Sequence, residues 1–140
     1  MNNNHIDDLK TDYGPKPFVV NVKQFTLNNP FYRRTLWTGE HLQVTLMSIP
    51  VHGDIGLEMH PNLDQFIRIE SGKGIVTMGK DKSNMSIQRE VNQNYAFMIP
   101  ANTWHNLVHI GNTPIKLYSI YAPTQHPKGT VHKSKADAEE

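Results

Sequence analysis

Glu58 and His60 stand two positions apart in Gly56-Leu57-Glu58-Met59-His60, with Asp64, Gln65 and Gly72 following. A carboxylate and an imidazole are ordinary ligands for a divalent cation. In an extended strand, side chains two apart share a face, so Glu58 and His60 would converge while Leu57 and Met59 turn away. A second segment, Ile99-Pro100-Ala101-Asn102-Thr103-Trp104-His105, offers another imidazole. It reaches the same point if the two strands lie side by side in a barrel. The chemistry such a group would do is metal chelation.

The elements that must position these groups read as β. Short runs rich in β-branched and aromatic residues recur at 18–22, 32–38, 42–49, 65–69, 74–78, 86–91, 96–99, 104–109 and 115–121. Turn residues separate them, among them Thr38-Gly39-Glu40, Ser71-Gly72 and Gly111-Asn112-Thr113-Pro114. No segment carries a sustained helical period, and the strands are not interleaved with helices. About nine strands in one closed antiparallel sandwich or barrel are expected.

The chain divides into a loose N-terminal arm over 1–16, a barrel over 17–122 and a tail over 123–140. His126 and His132 in the tail either reach a cavity mouth or are simply solvated. At 140 residues one domain with one site is expected.

Fourteen basic against 13 acidic residues leave a net charge of +1, with no field to attract nucleic acid or an anionic membrane surface. The absence of cysteine removes disulfides, thiolate metal sites and thiol nucleophiles. No apolar run is long enough to span a bilayer and no secretory leader is evident, so a cytoplasmic protein is expected. The serines lie in no nucleophile-elbow context, and the glycines form no phosphate loop ahead of a helix.

Over roughly residues 40–121 the chain resembles the small single-domain cupins. Their first motif runs His-x-His, three or four residues, Glu, six residues, Gly. Here it reads Glu58-Met59-His60, four residues, Gln65, six residues, Gly72. Their second motif runs Gly, five residues, Pro-x-Gly, two residues, His, three residues, Asn. Here it reads Asn94, five residues, Pro100-Ala101-Asn102, two residues, His105, three residues, His109. Spacing is kept while letters change. Asparagine at both glycine positions of the second motif tolerates a left-handed backbone better than other non-glycine residues.

The resemblance implies an all-β double-stranded β-helix, a jelly-roll barrel. It also implies one divalent metal ion, Fe, Mn, Zn or Ni, held by Glu58, His60, Gln65 and His105. Gln65 is the weaker member, an amide that either ligates directly or orients water. Asp64 would face the opposite side of its strand. His109, four residues past His105, is a candidate catalytic residue, as a proton shuttle or a group behind the ligands; the competing reading is a hydrogen-bonded core histidine. Without a metal, Arg33 or Arg34 would have to offset the buried Glu58 carboxylate.

Alternation groups Arg33 with Thr35 and Trp37. Facing inward, Arg33 would hold an anionic substrate group with Trp37 as a wall; facing outward, they would join a subunit interface. Phe66 and Arg68 are expected outside the lumen, in a homodimer contact or a sheet-packing face. The function implied is a metal-dependent enzyme acting on a small polar, sugar-like or oxygen-chelating molecule. Isomerase-like proton transfer and Fe(II) dioxygenase chemistry are both open, and a non-catalytic metal-dependent binder or sensor is the alternative.

Overall fold

A computed structural model describes residues 8–138. After a short helix α1 (Val22–Asn28), the strands run β1 (Arg33–Thr38), β2 (Gln43–Ile49), β3 (Asp64–Ser71), β4 (Lys73–Gly79), β5 (Ile87–Val91), β6 (Ala96–Ile99), β7 (Trp104–Ile110) and β8 (Ile115–Ala122). The tail adds β9 (Val131–His132) and one turn of helix, α2 (Lys135–Ala138). A six-stranded sheet in the order β6-β3-β8-β2-β1-β9 faces a three-stranded sheet β5-β4-β7, and every pairing is antiparallel. This is the all-β double-stranded β-helix expected from the sequence.

Period-two alternation explains the core. On β3, Gln65, Ile67 and Ile69 are buried while Phe66 and Arg68 are only half-buried. Ile67 and Ile69 join Met47, Ile49 and Leu117 from the large sheet, and Val76 and Leu107 from the small one, in one apolar cluster between the layers. On the outer face, Phe66 packs against Tyr118 with ring centroids 6.2 Å apart. Arg68 donates to Asn94 Oδ1 at 3.1 Å and lies 3.4 Å from Glu70 Oε2.

The turns survive the motif substitutions as the spacing predicts. Asn94 and Asn102 both take a left-handed backbone, with φ of 74° and 67°.

Three expectations are corrected. Residues 18–22 form no strand; α1 begins at their end instead, capped by the Asn21 side chain, which accepts from Gln24 N at 3.0 Å. Seven residues are too short for a helical period to show in the sequence. Residues 8–16 of the expected arm are tied to β1: Tyr13 N donates to Leu36 O at 2.9 Å, and Asp12 Oδ1 accepts from Thr38 N at 3.0 Å. The remainder of that arm, 1–7, lies outside the described residues.

Trp37, third, does not share a face with Arg33. The β1–β2 register shifts between Thr35 and Trp37. This bulge turns the indole toward the N-terminal segment, where its Nε1 donates to Lys16 O at 2.8 Å.

Candidate metal centre

The segment carrying Glu58 and His60 is not a regular strand. Between β2 and β3 it is held to β7 by single bridges, Asp54 with Val108 and Glu58 with His105. Glu58 N donates to His105 O at 3.0 Å, and His105 N returns a bond to Glu58 O at 2.9 Å. Asn106 Oδ1 fills the gap by accepting from Gly56 N at 2.9 Å. Gly56 has φ +100°, a conformation that suits glycine where the chain bends before Glu58.

These backbone bonds set Glu58 directly beside His105, and His60 follows. The ligand atoms of Glu58, His60 and His105 all lie within 4.8 Å of one another. Glu58 Oε2 is 3.2 Å from His105 Nε2 and 3.4 Å from His60 Nε2. Ligands about 2.0–2.2 Å from a common ion would sit about 3–3.5 Å apart by simple geometry.

The hydrogen bonding around the group fits a cation. His105 Nδ1 lies 3.1 Å from Thr103 O and donates to it, which leaves Nε2 as the atom that would meet a cation beside Glu58. His60 Nε2 is buried with no hydrogen-bond partner among the described residues. Burial pushes the Glu58 carboxyl up, but the His105 and His60 imidazoles beside it outweigh burial and hold it at about 2. The carboxylate is therefore charged at neutral pH and prepared for a cation. Arg34, one of the two arginines considered as a metal-free partner for it, donates instead to Thr11 O at 2.6 Å.

Gln65 faces inward from β3, opposite Tyr121 of β8. Its Nε2 donates to Ser119 Oγ at 2.8 Å, and its Oε1 is buried with no partner among the described residues. An orphaned amide oxygen suits a weak ligand or a water anchor. Asp64 points the other way, as alternation requires, and caps the β6–β7 turn by accepting from Ala101 N at 3.0 Å.

His109 is corrected. Its Nδ1 accepts from His52 N at 3.1 Å, and its Nε2 lies 2.7 Å from Thr113 O. Both ring nitrogens are spent on backbone, so His109 staples two loops and has no free nitrogen with which to move a proton.

The tail supplies what the barrel strands alone do not. Gln43 anchors it, and the rings then run in a chain: His60 to Tyr121 at 5.9 Å, Tyr121 to His126 at 5.2 Å, and His126 to His132 at 6.2 Å. Burial, followed by the Arg33 guanidinium and His132, pushes His126 down to about 3. Burial and Arg33 also lower His132, and burial raises Tyr121. The tail histidines are not simply solvated: both are partly buried, His126 against Tyr121 and His132 against His126.

Residues 45–121 match the cupin domain family. The chain is 61% identical over 130 residues to the uncharacterized protein YrkC of Bacillus subtilis (strain 168), covering 93% of this chain and 70% of that one. It is 44% identical over 115 residues to the uncharacterized protein L612 of Acanthamoeba polyphaga mimivirus, covering 81% and 70%. The crystal structure of BH2720 from Bacillus halodurans superposes with a TM-score of 0.91 at 61% identity, covering 92% of this chain and 98% of that one. The chain belongs to the cupin family. It is a small single-domain cupin whose Glu58, His60 and His105 can hold a metal ion.

Proposed function

We propose that this cupin is a metal-dependent enzyme acting on a small polar molecule that offers oxygen donors. Glu58, His60 and His105 would hold one divalent cation, Fe, Mn, Zn or Ni, with Gln65 Oε1 as a weaker fourth ligand. The observation that carries the reading is the mutual approach of the three ligand atoms, with His105 Nδ1 donating to Thr103 O.

A divalent ion in such a group supplies Lewis acidity toward a bound oxygen, and a redox-active one supplies oxygen chemistry. Beside it, this chain offers a polar cluster of Arg33, Tyr121, His126 and His132, joined by ring contacts and the β1–β9 register. With His109 engaged by backbone, His126 and His132 are the imidazoles available to move a proton. This polar cluster supports isomerase-like chemistry over a dioxygenase, which wants a mostly apolar cavity. A non-catalytic binder is the second reading, favoured by the burial of His126, which pushes it down to about 3 and makes it a weak proton acceptor at pH 7.

A homodimer is carried forward as part of the proposal. The outer face of the six-stranded sheet has an apolar groove of about 370 Å³ lined by Phe66, Met98 and Ile120, and Met98 is 64% exposed. Light scattering on Met98→Glu should report a smaller mass than the parent if a second copy covers it.

The test of the metal reading is elemental analysis of untagged protein, repeated for Glu58→Ala and His105→Ala. Near-stoichiometric metal in the parent and its loss in both variants are expected. Retention in both would remove the ligand assignment.

A further inference from the structure

We infer that Arg33, Tyr121, His126 and His132 form an anion subsite beside the metal centre, shaped for the carboxylate of a small acid whose second oxygen reaches the metal. The inference rests on the metal reading above and names the substrate class for it.

Arg33 carries the argument. It is only 6% exposed, and among the described residues it forms no ion pair. Its contacts are all with uncharged groups: Met47 Sδ at 3.9 Å from Nη2, the Tyr32 ring at 5.5 Å, and a hydrogen bond to the Tyr121 hydroxyl. Its Nε has no hydrogen-bond partner. A guanidinium cannot shed its proton, so a buried one without a carboxylate is a standing cost that a bound anion would relieve.

Two further nitrogens are left open beside it. His126 Nε2 and His132 Nδ1 are both buried without a partner among the described residues. His132 lies opposite Arg33 in the β1–β9 register, and His126 stacks edge-on against Tyr121. Arg33 Nε–H is a donor that is always present, and His126 Nε2 and His132 Nδ1 add donors to oxygen ligands in the tautomers that carry their proton there.

Distance and charge select the ligand. Of the four residues, Arg33 is the one that lines a cavity of about 210 Å³, which it shares with Glu58, Tyr32, Gly56 and Lys135. That is below the roughly 300–1,000 Å³ of drug-sized sites, so the occupant is small. A divalent cation with one carboxylate leaves one positive charge and Arg33 adds another. The planar guanidinium fork matches a carboxylate in two-point contact.

Calorimetric titration of zinc-loaded protein with glycolate tests this, with ethylene glycol as the uncharged counterpart and inorganic phosphate as the competing anion. Glycolate should bind at least about tenfold more tightly than either. Arg33→Gln should weaken it by about tenfold or more, the scale of one lost charge-assisted pair, with zinc stoichiometry unchanged. The double variant His126→Gln, His132→Gln should weaken it similarly, and decides the matter if Arg33→Gln does not fold.

Equal affinity for glycolate and ethylene glycol, tighter binding of phosphate, or glycolate affinity untouched by these variants would overturn the assignment. The same titration on chelator-treated protein separates the two readings. Arg33-dependent glycolate binding in a protein that takes up no zinc would sink the metal centre and leave the subsite standing.

Discussion

Gln43 grips the backbone of His126 from both sides. Its Nε2 donates to His126 O at 2.7 Å and its Oε1 accepts from His126 N at 2.9 Å. Gln43 is fully buried on β2, and the same oxygen lies 3.2 Å from Gln125 N. One barrel side chain thus fixes the point at which the tail enters the interior. Gln43→Ala should cost about 1–3 kcal/mol through unsatisfied buried groups. Hydrogen exchange at Gln125 and His126 should rise in step, and unchanged protection there would show that the tail is held by something else.

The two histidines of β7 should separate cleanly. His109→Ala removes the acceptor for His52 N and the donor to Thr113 O, and should cost about 1–3 kcal/mol of stability. Its metal content should match the parent's. His105→Ala should do the reverse on metal, and elemental analysis alongside urea unfolding reads both.

His126 should make stability pH-dependent. Its folded value, about 3, lies below the ordinary 6.5, so the unfolded chain binds the extra proton between those limits. This contribution is fully present above about pH 6.5, erodes as pH falls through that window, and is gone below 3. Each unit is worth about 1.4 kcal/mol, and partial exposure reduces the total to on the order of 2–4 kcal/mol. Unfolding free energies at pH 7 and pH 4.5 should differ less in His126→Gln than in the parent.

Gly72 stands at φ +94° between β3 and β4, where an added Cβ would lie 2.6 Å from Pro114 O and 2.7 Å from Ile115 Cα. Both neighbours are backbone atoms and cannot swing aside. Gly72→Ala should therefore lose about 1–3 kcal/mol, read as a lower urea midpoint with an unchanged slope.

The barrel was legible because its strands alternate over a buried face, a local pattern that survives without knowledge of the partners. The motif spacing likewise brought Glu58, His60 and His105 to one point. What spacing could not carry was the conformation of residues 53–60, which reach that point through single bridges and the Asn106 side chain. Nor could it carry Trp37, moved off its expected face by one bulge. The fate of His109 depended on the backbone of two distant loops. The placement of His126 depended on Gln43, more than eighty residues away, and that of His132 on pairing with Arg33 of β1; a polar tail gives no periodic signal of such attachments.

Because β9 completes the six-stranded sheet at β1 and carries His132, the residues proposed for the ion and those proposed for the anion have separate addresses in the chain. The would-be ion donors sit on the barrel, and the groups that would choose its guest ride partly on the tail that Gln43 holds. Exchanging residues 124–132 between relatives should thus redirect molecular preference without disturbing the inorganic core.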